Sequence, residues 1–343
     1  MKVLITGGYG FIGSTLIKSI LDTTDFEVIN IDSKTSISMP ESLIGYENLK
    51  RYNYENVDIC NYNKINEIFH DYKPESVFHL ASETHVDTSI LKPEKFLYTN
   101  FIGTYNLLNI SKNYIENNYN KNNTFKFLHI STDEVYGSLK LTDSSSTEES
   151  KYKPNSPYSA SKASADHLVR AWNKTFGLPT LLTNASNNFG IWQYPEKLIP
   201  LVIFKCLKNE KIPLYGNGQN IRDWLHVNDH VSALLLVFKK GKIGENYNIS
   251  GNNELTNLEI VSKICQICDK LFPKKSPHNN LISFVKDRLG HDFRYSINNN
   301  KITNDLGFKI ECNFDKELEN TVKWYIKNES WLTKKINNRS KQS

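Results

Sequence analysis

Short apolar runs alternate with amphipathic stretches through the first half of the chain. The apolar runs, bounded by turn residues, are read as strands at Lys2–Thr6, Glu27–Asp32, Ser76–Ala81, Phe125–Ser131 and Pro179–Ala185. Between them the spacing predicts helices near Phe11–Leu21, Lys64–Asp71, Pro93–Asn118 and Pro157–Phe176. Pro93 and Pro157 suit first helical turns, where the missing N–H costs nothing. Strand–helix alternation of this kind predicts an α/β fold, a doubly wound parallel sheet covered by helices. Beyond about Ala185 it gives way to loops, a helix near Leu198–Lys208 and shorter elements. The expected organisation is therefore a larger domain over residues 1–185 and a smaller substrate domain over 186–343, with some elements crossing between them.

The first strand–helix junction carries Gly7-Gly8-Tyr9-Gly10-Phe11-Ile12-Gly13. Glycines at spacings of three let backbone approach a pyrophosphate, and the free amides of a helix N-terminus face its charge. Asp32 ends the second strand, where a carboxylate can accept from both ribose hydroxyls and repel a 2′-phosphate. The pattern predicts a Rossmann-type domain binding NAD rather than NADP. Asp58-Ile59, after a third extended stretch, is a candidate contact to the adenine edge.

Tyr158 and Lys162 lie four apart in a predicted helix and project from one face. A neighbouring ammonium favours phenolate, so Tyr158 is expected to have a lowered pKa and to serve as a general base. Thr132 ends the fourth predicted strand, where open α/β sheets bind ligands, and its hydroxyl can bridge a substrate oxygen and Tyr158. Asp133 and Glu134 follow at once. Beside a redox site, two carboxyl groups read as an acid and a base whose environments separate their pKa values.

Composition narrows the field. The net charge of +5 comes from 42 basic and 37 acidic residues, with no dense basic block except the Lys334-Lys335 to Lys341 tail, so a nucleic-acid partner is not expected. No run approaches the roughly 18 apolar residues of a membrane span, and the start enters a strand pattern at once rather than a signal peptide. A cytoplasmic location and no membrane partner are expected. Five scattered cysteines argue against a disulfide framework. Cys265-Gln266-Ile267-Cys268 has no second pair to complete a zinc site and falls on the buried face of a predicted helix, so no metal site is expected.

Seven segments carry a resemblance. They are Thr6–Ser14, His79–Asp87, Ser131–Gly137, Tyr158–Lys162, Gln193–Pro200, Ile221–Trp224 and Asp287–Asp292. Over about residues 1–330 the chain resembles the extended short-chain dehydrogenase/reductase family, and within it the dTDP-glucose 4,6-dehydratases. The Thr-Asp-Glu step discriminates, because related epimerases share the glycine turn and the Tyr–Lys pair without the acid pair. The resemblance implies C4 oxidation with Tyr158 as base, abstraction of the C5 proton by Glu134 and protonation of the departing C6 hydroxyl by Asp133, with hydride returning from NADH to C6. The product would be a 4-keto-6-deoxy sugar nucleotide on the way to rhamnose or another deoxysugar.

The resemblance also implies cofactor contacts at Leu80, Ala81, Thr99 and Asn188. For a nucleotide-diphosphate hexose it implies Thr84, Asp87, Asn187, Lys197, Leu198, Arg222, Asn257, Arg288 and His291, with Pro213 and Tyr215 against the base. The arginines suit a diphosphate because a guanidinium presents paired donors. A homodimer through the helices carrying Tyr105–Asn109 and Tyr158–Trp172 is implied too. The chain departs from the family pattern at Thr88, Asn184, Ile191-Trp192 and Leu289, positions that bear on loop shape and on base or sugar preference. Alternatives are a UDP-glucose 4,6-dehydratase, a nucleotide-sugar epimerase or decarboxylase, and a non-catalytic nucleotide-binding protein.

Overall fold

Lys2–Thr6 (β1), Glu27–Ile31 (β2), Tyr52–Glu55 (β3), Ser76–His79 (β4), Lys126–Thr132 (β5) and Thr180–Ala185 (β6) build the sheet of a computed structural model that describes residues 1–118 and 125–340. A later strand, Asn246–Ile249, joins it beside β6. Numbering that strand β10, after Asn187–Phe189 (β7), Ile212–Tyr215 (β8) and Ile221–His226 (β9), gives the sheet order β10-β6-β5-β4-β1-β2-β3. Every pairing in it is parallel. Strand order reverses direction at β1 and β4, the switch point at which such sheets open a crevice beyond their carboxyl ends.

Helices Phe11–Thr23 (α1) and Tyr62–Tyr72 (α2) cover the sheet, followed by Val86–Leu91 (α3), Pro93–Phe96 (α4), Gly103–Asn118 (α5) and Pro157–Phe176 (α6). Val3, Ile5, Leu16, Ile17, Phe78 and Leu128 pack one face, and Leu4, Ile29, Val77, Leu107 and Phe127 the other. Double-sided burial explains why these strands read as continuous apolar runs. The strands expected to reach Asp32 and Ala81 stop at Ile31 and His79, which leaves Asp32, Leu80 and Ala81 in the loops at the crevice.

The helix expected over Pro93–Asn118 is interrupted by a π-helical turn, Leu97–Ile102. Asn100 explains the widening: its Oδ1 accepts from the Glu83 amide at 2.8 Å, and its Nδ2 donates to the Glu83 carbonyl at 3.0 Å and to Ser161 Oγ at 2.8 Å. Fixing that side chain fixes Thr99 against the crevice. α6 has the expected limits, set by a Ser156 capping box, Pro157 in the first turn and Gly177 in the left-handed conformation at its end.

The remaining elements form a second packing unit. Leu198–Lys208 (α7), Asn257–Leu271 (α9) and Phe314–Lys327 (α10) bury Ile203, Phe204, Ile264 and Tyr325 with β8 and β9, whereas Val227–Lys240 (α8) packs back onto the main sheet. Cys265 and Cys268 are fully buried there, as their helical spacing predicts. Glu254–Thr256 (β11) pairs with β9, Ile282–Val285 (β12) pairs with β8, and Glu329–Ser340 (α11) closes the described chain. Lys335, expected in a basic tail, bonds Glu41 at 3.1 Å, while Lys341 lies outside the described residues.

Candidate active site

The glycine turn is drawn tightly between β1 and α1. Gly7 has φ +73°, and a Cβ there would sit 2.8 Å from the Ala81 backbone; one on Gly13 would sit 2.2 Å from the Gly7 carbonyl oxygen. Gly10 is the N-cap of α1 and supplies no side-chain bond, so the first-turn amides face the cleft without a cap. At the far end of β2 the Asp32 carboxylate accepts from the Tyr9 amide (3.0 Å), the Lys34 amide (2.9 Å) and Ser38 Oγ (2.9 Å). These donors take three of a carboxylate's roughly four acceptor positions, and Ser38 is a rotor that a sugar hydroxyl can replace. Uncapped amides at one end and an acceptor carboxylate at the other fit a dinucleotide.

One continuous cleft is lined by Gly7, Gly10, Phe11, Ile12, Gly13, Asp32, Asp58, Ile59, Leu80, Ala81, Thr99 and Asn188, and by Thr84, Thr132, Asp133, Glu134, Tyr158, Lys162, Asn187 and Lys197. The phenol–ammonium pair and the acid pair therefore face one space, though they come from different elements. β5 runs out at Thr132, and Asp133–Tyr136 form a single 3-10 turn capped by the Thr132 hydroxyl, which accepts from the Glu134 amide at 3.2 Å. Thr132 Oγ1 donates to Asp133 Oδ1 at 3.3 Å, while Oδ2 of Asp133 is buried with no hydrogen-bond partner. Asp133 lines the cleft, so this oxygen is open to a ligand hydroxyl.

The two carboxyls differ in electrostatic setting. Burial raises Asp133 well above the usual carboxylate range, and the neighbouring Glu134 and Asp223 push the same way. Burial also raises Glu134, but Arg222, Lys197 and Arg288 pull it back. The separation favours Asp133 as the protonated partner and Glu134 as the ionised one. Lys162 is lowered to about 8 by burial and donates to the Ile130 carbonyl at 2.8 Å.

Tyr158 departs from expectation. Its pKa is raised, first by burial and then by the Glu134 charge, against a lowering contribution from the Thr132 hydroxyl. Desolvation and the nearby Glu134 carboxylate set the direction.

Asp87, Leu198, Pro213, Tyr215, Arg222, Asn257, Arg288 and His291 do not line this cleft. Several form a cluster beside it: Asp87 pairs with Arg288 Nε at 2.6 Å, the Arg288 guanidinium lies 5.1 Å over the Tyr215 ring, and His291 meets that ring edge-on at 6.1 Å. Within the cleft wall Lys197 Nζ donates to the Thr84 carbonyl at 2.9 Å. Arg222 is buried over the Tyr295 ring and donates to the carbonyls of Ile221, Asp292 and Phe293. Pro213 is on an exposed face of β8, and Leu198 and Asn257 open α7 and α9.

The sequence pattern of the GDP-mannose 4,6 dehydratase family matches residues 4–321. A dTDP-glucose 4,6-dehydratase of Haemophilus influenzae is 52% identical over 96% of this chain and 99% of its own length. Among solved structures, the NAD complex of dTDP-glucose 4,6-dehydratase from Bacillus anthracis is 39% identical with a TM-score of 0.86, covering 98% of this chain and 99% of that one. The Streptomyces venezuelae dTDP-glucose 4,6-dehydratase DesIV, also with NAD bound, is 37% identical with a TM-score of 0.88, covering 96% and 98%. The chain belongs to this family of extended short-chain dehydrogenase/reductases.

In this family member the structure adds residues in and beside the cleft that sequence reasoning passed over. Glu196, inside a segment that carries the resemblance, lines the cleft with a side chain only 5% exposed. Tyr295 donates to Asp292 at 2.6 Å and stands 3.5 Å from Glu134 Oε2, a meeting across 161 positions that no local pattern announces. The departing Asn184 donates to the Thr132 carbonyl at 3.2 Å and to Asp166 at 3.1 Å, so it supports the end of β5 from the neighbouring strand β6. For the cofactor, Asp32→Ala should weaken NAD binding about tenfold or more, the value of losing charged hydrogen bonds, and narrow the preference over NADP. Calorimetric titration of both nucleotides checks this; equal affinity for NAD in variant and parent would contradict it.

Proposed function

We propose that this chain converts dTDP-glucose to dTDP-4-keto-6-deoxyglucose and water. What supports the reading above all is the acid pair Asp133-Glu134 facing the same cleft as Tyr158 and Lys162. Bound NAD supplies reversible hydride acceptance, from C4 at the start and back to C6 at the end. Tyr158 takes the proton of the C4 hydroxyl in its phenolate form, which the positive charges of Lys162 and of an oxidised nicotinamide ring would favour against the burial that raises its pKa, with Thr132 directing the sugar oxygen toward it. The resulting ketone makes the C5 proton acidic enough for Glu134, and Asp133 gives its proton to the departing C6 hydroxyl; when hydride returns to C6, a proton returns to C5. Hydroxide is a poor leaving group and an unactivated C–H a poor acid, so oxidation must come first; general acid–base help of about 10²–10⁴-fold per group then suffices.

Lys197, Arg222 and Arg288 bring positive charge toward Glu134 and toward the diphosphate, with Asp87, Asn187, Asn257 and His291 completing the sugar-nucleotide site and Tyr215 with Pro213 meeting the base. Leading to rhamnose or another deoxysugar, the reaction belongs in the cytoplasm; no helix among the described residues is long and apolar enough to cross a membrane. Parallel incubation with dTDP-glucose and UDP-glucose, read by mass for the loss of one water, tests substrate choice. Faster dehydration of UDP-glucose would move the assignment to the uracil nucleotide.

The protein acts as a homodimer in this reading. Leu91, Leu97, Tyr98, Tyr105 and Phe176 are exposed on neighbouring helices, Tyr98 by 64% and Leu97 by 54%, and Trp172 packs edge-on against Tyr105 and Phe176. These exposed apolar side chains support an interface there. Tyr98→Glu should give monomers in light scattering; a dimer of unchanged stability would contradict the assignment of this face.

A further inference from the structure

Behind the cleft lies a buried carboxylate that the steps above leave unused. Asp166 follows Lys162 by one turn of α6, and the two are 3% and 4% exposed. Adjacent residues of β5 hold them: the Ile130 carbonyl accepts from Lys162 Nζ at 2.8 Å, and Ser131 Oγ donates to Asp166 Oδ2 at 2.9 Å. That oxygen also receives the Tyr152 hydroxyl at 3.0 Å and Asn184 Nδ2 at 3.1 Å. Asp166 Oδ1 stands 3.2 Å from His129 Nε2, and the His129 ring lies 5.1 Å from that of His79.

The titratable groups around Asp166 are thus Lys162 and Tyr158 on α6, His129 on β5, His79 beyond it on β4, and the phenols Tyr152 and Tyr136. Burial holds both histidines neutral. Lys162 is left as the cation that can balance Asp166, and a carboxylate this deeply buried is costly unless it has such a partner.

We infer that Asp166 is a positioning residue of the reaction: it keeps Lys162 an ammonium, clamped on the Ile130 carbonyl, so that positive charge stands one turn from Tyr158 during proton transfer. The inference rests on the roles proposed for Tyr158 and Lys162. Burial alone pulls Lys162 down, and Asp166 is the group that pulls it back up. Without that carboxylate Lys162 loses its proton at a lower pH. Asp166 itself is raised to about 6, so on the acid side of that value the parent protein lacks the charge as well.

The test is kcat and KM of Asp166→Asn on dTDP-glucose across the pH range. Near pH ~6 the variant should stay within about twofold of the parent, and near pH ~9, above the value of about 8 at which Lys162 of the parent titrates, it should fall about tenfold behind for each unit that Lys162 drops, with KM little changed. A loss equal at every pH, which a purely structural role would give, overturns the inference, as does no loss. If Asp166→Asn does not fold, Tyr152→Phe, which removes one donor from the carboxylate, takes its place. Lys162 of that variant should then react with a small acylating reagent at lower pH than in the parent, read by mass spectrometry; an unchanged onset overturns the inference. Failure of the parent to turn over dTDP-glucose would sink the proposed reaction, whereas a normal parent beside a flat variant profile sinks only the role of Asp166.

Discussion

Glu134→Gln should retain C4 oxidation and lose water elimination, with overall turnover down about 10²–10⁴-fold. Two features of the site lead there. Glu134 is the carboxyl whose proton affinity Arg222, Lys197 and Arg288 hold in check, so it is the ionised member able to take the C5 proton. It is also the leading charge that keeps the proton on Tyr158, and its removal makes Tyr158 a readier base for the first step. Reduced cofactor and a 4-keto-glucose nucleotide should therefore accumulate, visible as NADH absorbance that does not decay within a turnover. Normal product at the parent rate would remove Glu134 from the chemistry; loss of NAD binding together with activity would make it structural.

Tyr158→Phe should act one step earlier. The phenol is buried within reach of the Thr132 hydroxyl at the end of β5, and among the described residues no other on the cleft combines an ionisable oxygen with the Lys162 ammonium one turn away. Removing that oxygen leaves the C4 hydroxyl proton without an acceptor, so NADH should not appear on mixing with dTDP-glucose, and turnover should fall about 10²–10⁴-fold. Because the ring remains to fill its place against Phe96, the thermal midpoint should move little. A variant that forms NADH at the parent rate would contradict the role. The double variant with Glu134→Gln should be about as slow as the slower of the two single variants rather than slower by the product of their losses, since the steps are sequential.

How far this could be read from the sequence follows from the range of the interactions. The sheet, α6 with its limits, and the cofactor wall rest on local signals: double-sided apolar runs, Ser156 and Pro157 at a helix start, glycines where a Cβ would meet backbone. The acid pair and the Tyr–Lys pair were visible as spacing, and the strand end at Thr132 places them together. What the sequence concealed is set by long-range contact. The strand Asn246–Ile249 completes the main sheet from the second half of the chain because its pairing partner is β6, about sixty residues earlier. The π turn at Leu97–Ile102 depends on Asn100 reaching Glu83 and Ser161. The raised pKa of Tyr158 depends on how deeply Glu134 and the phenol are buried together, which spacing on one helix does not report.

The most direct measurement is turnover of dTDP-glucose in deuterium oxide, with the product's mass and the site of its label determined. Convergence of Asp133, Glu134 and Tyr158 on one hexose predicts a product lighter by one water that carries a single solvent deuterium at C5, with no net NADH formed. A product of unchanged sugar composition inverted at C4, or a dehydrated sugar with no deuterium at C5, would contradict it.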